Sequence, residues 1–580
     1  MTSRSNLTKQ SISAVKWSAF GNIARYGLQL GAQIVLARLL GSANYGLFAL
    51  GLTVLGFSNM LANFGLAWGL VQAQDLSEED IRFVFTWQLV SGLIAALGLY
   101  LLAPSIAAFF NDVRLESIVE WLSLASVISA ATAPASNLLR RKLDFKSINI
   151  IEVSSYSIGY IVIGVPLAYN GAGVWSLVSA WLIQAFFALV FSFIRCPHPI
   201  KPLFWHPGAS ALVGVGSTVF VTNICNWLLN NLDRTLLGRF LNVQSVGLYT
   251  VGYNLANTPN SLLIGALQPA FLAAGARIQS ESDRLRSAYL SVLASIWILI
   301  LPMFIMLAIL AQDLVGILYG SAWLSSGMVL AILALSMPAY ITWGMSTPIL
   351  WNTGHKHWES LLQLPILVGA GLAYFNFASQ GVVVVTLVAA STLLARAIVI
   401  TSAACHLLKI GFQDLVGFAM RGIAMAALAA VGTLAGCEIG RITGIAMTPI
   451  ITLLGFDFSQ MAGAAHFYAL LGGISVGCGV LIATSLIYPR ILGSEVIKML
   501  GRFSPSLLAF LERRLQTTTI SSYVLLVSVL IGGVALIAPP VIYPRLLEST
   551  LQILKHSSQP LSALVDGRLW SVSAKDETEK

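Results

Sequence analysis

The chain has 580 residues, 57% of them hydrophobic and only 10% charged, with a mean hydropathy of +0.81. Soluble domains carry about 25% charged residues, so this composition excludes a globular cytosolic protein and indicates a polytopic membrane protein. The formal net charge of +9 sits on basic residues between apolar stretches, the pattern of membrane topology rather than of a nucleic-acid partner.

Nothing at the N-terminus reads as a cleavable signal, because Met1 to Ser11 is polar and Arg25 interrupts the next segment. A span needs about 20 apolar residues to cross about 30 Å of hydrocarbon. Twelve spans are predicted up to Cys405, at 12–39, 46–70, 84–107, 118–139, 148–169, 174–194, 211–237, 246–271, 288–311, 327–351, 360–377 and 381–405. With the N-terminus in the cytoplasm, sixteen Lys and Arg, among them Arg140, Arg141, Lys142 and Lys146, fall on inner segments. Only three, Arg38, Arg114 and Arg239, fall on outer loops. That bias orients the chain N-terminus in.

The first span carries the informative pattern. Read as a helix, it places Asn22, Arg25, Gln29 and Gln33 within a stripe roughly 80° wide, among residues that are mostly apolar or small. A shift of 201 residues brings Asn223, Asn226, Asn230 and Arg234 onto the same four positions of the seventh span. The frame holds outside the stripe, where Arg38 matches Arg239 and Gly46-Leu47-Phe48 matches Gly247-Leu248-Tyr249. The offset contains six spans, an even number, so both copies enter the membrane in the same direction around an axis along its normal. The expected fold is an all-α membrane protein of two parallel six-helix repeats around a central cavity, followed by two or three extra spans.

The boundary between repeats falls in 195–207, RCPHPIKPLFWHP, whose four prolines predict an extended linker. His198 and His206 are read there as solvated linker histidines rather than a metal site. The domains expected are an N-terminal lobe at 1–200 and a C-terminal lobe at 208–410. Additional spans with a basic cytoplasmic segment follow at 411–515, and a candidate further span with a polar tail at 516–580. Spans are predicted at 417–437 and 464–487, with 441–456 a short re-entrant or interfacial piece and 523–543 a fifteenth apolar run.

Ionisable residues inside spans point to function. Arg25 lies thirteen residues, about 20 Å, into its span. It either pairs with a neighbouring helix or faces a hydrated cavity and meets an anionic substrate. The amides above and below it favour the cavity, and a guanidinium suits bidentate contact with phosphate. Asp233 is read as the only carboxylate well inside the first twelve spans, either as a counter-charge or as a proton or sodium site. Asp233 and Arg234, being adjacent, point about 100° apart and do not pair. Arg396 is a further cavity cation or a snorkelling one. The candidate cavity set is Asn22, Arg25, Gln29, Gln33, Asn223, Asn226, Asn230, Asp233, Arg234 and Arg396.

Other features have plainer readings. Gly27 and Gly31, spaced as GxxxG, read as a helix-packing face. Asp75, Glu78, Glu79 and Asp80 read as a solvated acidic loop, and the stretch from His355 to Glu359 as an interfacial anchor. The five cysteines, Cys196, Cys225, Cys405, Cys437 and Cys478, have neither disulfide nor zinc spacing and read as small apolar filler. No Walker A sequence, Rossmann fingerprint or HExxH is present, so no cofactor or metal is expected.

Ala37-Arg38-Leu39-Leu40-Gly41 with Tyr45-Gly46-Leu47-Phe48, and the stretch from Asp233 to Gly238 with Gly247-Leu248-Tyr249, resemble the two signatures of the polysaccharide transporters. These are the O-antigen and exopolysaccharide flippases (Wzx-type) of the multidrug/oligosaccharidyl-lipid/polysaccharide superfamily. The resemblance covers roughly residues 10–500 and leaves the run after Leu515 unaccounted for. It implies a non-enzymatic flippase of the bacterial inner membrane that turns an undecaprenyl-diphosphate-linked oligosaccharide from the cytoplasmic to the periplasmic face. Membrane lipids and the polysaccharide polymerase and chain-length machinery are the implied partners. A multidrug or organic-cation antiporter of the same superfamily is the alternative, disfavoured because the stripe holds Arg25 and Arg234 against one Asp233. A membrane-embedded glycan polymerase or ligase is a third reading, disfavoured by short outer loops.

Overall fold

The computed structural model describes residues 2–62, 66–72, 76–205, 209–453, 464–493 and 496–497, with side chains in the first helix from Arg25 onward. Among them the regular structure is helical throughout, with no strand. The first predicted repeat contains α1 (Thr2–Ala62), α2 (Leu66–Gln72), α3 (Glu78–Phe110), α4 (Arg114–Arg141), α5 (Phe145–Tyr156), α6 (Val165–Tyr169) and α7 (Val174–Arg195). The second contains α8 (Ala209–Phe240), α9 (Val243–Arg277), α10 (Ser282–Ser295), α11 (Leu301–Ile309), α12 (Ala311–Tyr319), α13 (Leu324–Asn352), α14 (Lys356–Phe377) and α15 (Val382–Leu407). The long α16 (Phe412–Leu453) and α17 (Ala464–Ile487) follow. Packing divides the chain into two compact units, Met1–Ala426 and Ala427–Lys580.

Eleven helical stretches of the described residues are long and apolar enough to cross a membrane. Spans one and two form one of them, because α1 runs on past a break at Gly41 (φ 73°, ψ 170°). Helices α8 and α9, read as spans seven and eight, are 32 and 35 residues long but fall outside the eleven. In α9 the side chains of Asn254, Asn257 and Asn260 lower the hydropathy, and in α8 the residues with described side chains begin only at Thr222, in the part that holds Asn223, Asn226, Asn230 and Arg234.

The local chemistry explains the ends. Ser77 and Asp80 cap α3 reciprocally, and Glu78, Glu79 and Asp80 occupy its first turn. The acidic loop expected there is therefore a helix start, where carboxylates meet the positive end of the helix dipole. The linker is extended as predicted, but it is strapped to α3: Arg82 Nε donates to the Lys201 carbonyl (3.1 Å) and Trp87 Nε1 to that of Phe204 (3.0 Å). His198 is not solvated. It lies buried between the rings of Phe85 and Phe193, at 5.3 and 5.4 Å, and burial lowers its imidazole pKa from the usual value. Gly27 and Gly31 are exposed, and among the described residues no atom is near enough to touch an added Cβ, so the GxxxG pair packs against nothing there. Helix α16 is continuous through Arg441, which makes 441–453 its extension rather than a separate re-entrant piece. Asp75, His206, 454–456, 498–515, 523–543 and the tail lie outside the described residues. Four cysteines are buried and Cys478 is exposed.

The two predicted repeats meet most closely where α1 packs on α9. A Cβ added to Gly46 would overlap the Val243 carbonyl oxygen, and one added to Gly247 would overlap that of Ser42. The repeat-related glycines thus let the two backbones touch. On the same seam Arg38 Nε donates to the Leu318 carbonyl (2.7 Å) and Nη2 to that of Ile317, in the last turn of α12. Its counterpart Arg239 donates to the Phe109 carbonyl (2.8 Å), in the last turn of α3. Each arginine satisfies carbonyls that a helix leaves without an internal partner, and it does so in the other repeat.

Candidate functional site

The stripe residue Arg25 on α1 meets α5. Its Nη1 lies 2.5 Å from Glu152 Oε2, with the two side chains 25% and 36% exposed. Arg25 Nε is buried and has no hydrogen-bond partner among the described residues, and the guanidinium lies 5.0 Å from the Tyr26 ring centre. Gln29 and Gln33, one and two turns further on, are half-buried. Asn22 lies outside the residues whose side chains are described. Glu152 is the eighth residue of the apolar stretch Phe145–Tyr169, so Asp233 is not the only carboxylate deep in the first twelve spans.

At the equivalent position of the second repeat stands Asn226, and it too meets a glutamate from the fifth span of its own repeat. Its Nδ2 donates to Glu359 Oε1 at 3.2 Å, while Trp351 Nε1 donates to Glu359 Oε2 at 2.8 Å. Glu359 is only 3% exposed, so it belongs to the interior and not to the interfacial anchor expected from His355 onward.

The cation of this second cluster comes from α15. Arg396 is fully buried; it does not snorkel. Its Nη2 donates to Asn226 Oδ1 (2.9 Å), its Nη1 to Asn230 Oδ1 (2.8 Å) and its Nε to Gln363 Oε1 (2.9 Å). The guanidinium also stacks 4.1 Å from the Trp343 ring centre. Burying a guanidinium is costly unless its donors are satisfied. Here neutral amides and an aromatic face do this, and Asn226 relays polarisation between Arg396 and Glu359 by accepting from one and donating to the other.

One turn further along α8, Arg234 lies over the Tyr253 ring at 4.3 Å. Asp233 is buried and accepts from the Tyr249 hydroxyl and from the Arg234 amide at 2.7 Å. Its carboxylate is thus engaged by a tyrosine and main chain. Asn223 is exposed and stands apart from the cluster. The structure brings together Asn226, Asn230 and Arg396, places Asp233 and Arg234 beside them on the helix, and puts Arg25 in a second cluster.

Sequence reasoning missed Glu152, Glu359, Gln363 and Trp351. Glu152 carried a usable signal, since a carboxylate eight residues into an apolar helix needs a partner. Glu359 and Gln363, four apart and so on one helical face, carried a weaker one. An apolar cavity of about 810 Å³ between α1, α3 and α8, lined by Phe57, Leu61, Ile94, Leu102 and Trp227 among others, includes none of the predicted site residues.

The sequence profile of the family described as polysaccharide biosynthesis protein matches residues 35–328, just over half of the chain. The lipopolysaccharide biosynthesis protein WzxC of Escherichia coli K12 is 25% identical over 335 residues, 57% of this chain and 67% of that one. The succinoglycan biosynthesis transport protein ExoT of Rhizobium meliloti is 26% identical over 359 residues, 61% of this chain and 72% of its own. The fold is shared with the lipid II flippase MurJ in its inward closed conformation, at a TM-score of 0.55, 13% identity and coverage of 84% and 99%. It is shared also with an inward-facing multidrug resistance MATE family transporter of the MOP superfamily, at 0.53, 14% identity and coverage of 67% and 98%. The chain belongs to the polysaccharide biosynthesis protein family.

Proposed function

We propose that this multi-pass membrane protein is a flippase, not an enzyme, and that it carries an undecaprenyl-diphosphate-linked oligosaccharide across the bacterial inner membrane by alternating access. Residues 1–200 and 208–410 act as the two lobes, with the N-terminus in the cytoplasm and the Gly46–Gly247 seam toward the outer face. The polysaccharide polymerase and chain-length machinery receive the product. Asn22, Gln29, Gln33 and Asn223 supply amides for the sugars. The observation that carries the reading is Arg25, a guanidinium within a membrane span that is a quarter exposed beside its bond to Glu152.

Kinship supports the choice of cargo, because the charge balance does not distinguish the two readings. The sequence set two stripe arginines against one carboxylate. With Glu152 and Glu359 included, three arginines (Arg25, Arg234, Arg396) face three carboxylates. The partly exposed Glu152 therefore keeps an organic-cation antiporter as the second reading. The relatives named for lipopolysaccharide, succinoglycan and teichuronic acid biosynthesis favour the glycan. Arg25→Ala should leave the protein inserted but abolish glycan export in a flippase-deficient host, and Arg25→Lys should retain part of it. Full export by Arg25→Ala overturns the reading, and cation efflux that depends on Glu152 but not on Arg25 supports the alternative.

A further inference from the structure

The two repeats place one glutamate each opposite the same stripe position, but they use it differently. In the second repeat Glu359 is 3% exposed and both of its oxygens accept hydrogen bonds, from Asn226 and Trp351. Arg396 is likewise enclosed, with its Nε and both Nη atoms donating to amide oxygens. No anion can reach that guanidinium without dismantling three hydrogen bonds in a buried site. In the first repeat Arg25 bonds Glu152 through Nη1 alone among the described residues, its Nη2 makes no such bond, and both side chains are partly exposed. A guanidinium carries five N–H donors in a fork that matches paired phosphate oxygens, so Arg25 has donors in reserve while Arg396 is committed.

Resting on the flippase reading, we propose that the anionic headgroup is taken by the first repeat alone, and that Glu152 is a built-in competitor for Arg25. On loading, a diphosphate displaces the Glu152 carboxylate from the guanidinium. On the far side of the membrane the carboxylate returns and helps expel the headgroup. Such a device limits ground-state affinity and admits ligands of high charge density over weaker anions. It also gives Arg25 a counter-charge when the carrier resets empty, which an arginine inside a span needs. Arg396 in turn is a positioning residue that holds Asn226 and Asn230 in place.

The test uses the purified full chain in lipid nanodiscs with inorganic pyrophosphate as the probe and titration calorimetry as the readout. Glu152→Gln keeps the shape and removes the competing charge. It should bind pyrophosphate about tenfold more tightly than the wild type, while glycan export in cells falls because release is slowed. Glu152→Asp, which keeps the charge, should stay within a few-fold of wild type in both assays. Tightened binding with reduced export is a split that loss of packing does not produce. Unchanged or weakened pyrophosphate binding by Glu152→Gln, with Arg25→Gln abolishing it, overturns the competitor and leaves the anion site standing. Pyrophosphate binding that survives Arg25→Gln overturns the anion site itself.

Discussion

At the stripe position shared by the two repeats, Arg25 and Asn226 each meet a glutamate from the fifth span of their own repeat, yet the surroundings differ. Glu152 and Arg25 form a direct ion pair that is 36% and 25% exposed. Glu359 is sealed, and its arginine, Arg396, reaches it only through Asn226. The two sites thus share a glutamate but not an environment: the pair at Arg25 is partly exposed, and the cluster at Arg396 is enclosed. A charge that is partly exposed and held by a single partner can change partners at small cost. One enclosed by amides and an indole cannot, because each partner left behind would be a buried polar group without a hydrogen bond.

The largest effect expected from this contrast is on stability at the sealed site. Arg396→Ala leaves three amide oxygens unpaired and a void beside Trp343. It should destabilise the detergent-solubilised protein by about 3–5 kcal/mol, read by thermal unfolding. A loss below about 1 kcal/mol would mean that the cluster is not a structural lock. Next comes the seam, where the two repeats are alike. Gly247→Val sets a branched side chain against the Ser42 carbonyl and should cost about 1–3 kcal/mol by forcing α1 and α9 apart; wild-type stability there would refute direct backbone contact.

Arg25→Ala should be the reverse of Arg396→Ala, with export lost but stability changed by about 1 kcal/mol or less, as for exposed ion pairs. Destabilisation matching that of Arg396→Ala would erase the distinction between the sites. The smallest effect serves as a reference from outside the spans. Hydrogen bonding to Arg114, the main cause, lowers the Asp112 carboxyl pKa from its usual value. A group with a lowered folded pKa adds stability that is present above its unfolded pKa of about 3.9 and fades as pH falls through the folded value. Because Arg114 is 60% exposed, Asp112→Asn should cost no more than about 0.5 kcal/mol at neutral pH and nothing once the carboxyl is protonated. A larger loss at neutral pH would show that even exposed pairs matter here.

Sequence alone determined the membrane class, most of the helices, the offset of 201 and the polar faces of the first and seventh spans, since hydropathy and a 3.6-residue period are properties of neighbours along the chain. It placed Asn226, Asn230 and Arg396 among the candidates without pairing them, and it set Glu359 at the surface. The tertiary structure decided the partners. Arg25 and Glu152 are 127 residues apart, Asn226 and Glu359 are 133 apart, and Asn226 and Arg396 are 170 apart. No local pattern encodes which of several buried polar groups will face one another, because that follows from how the helices pack.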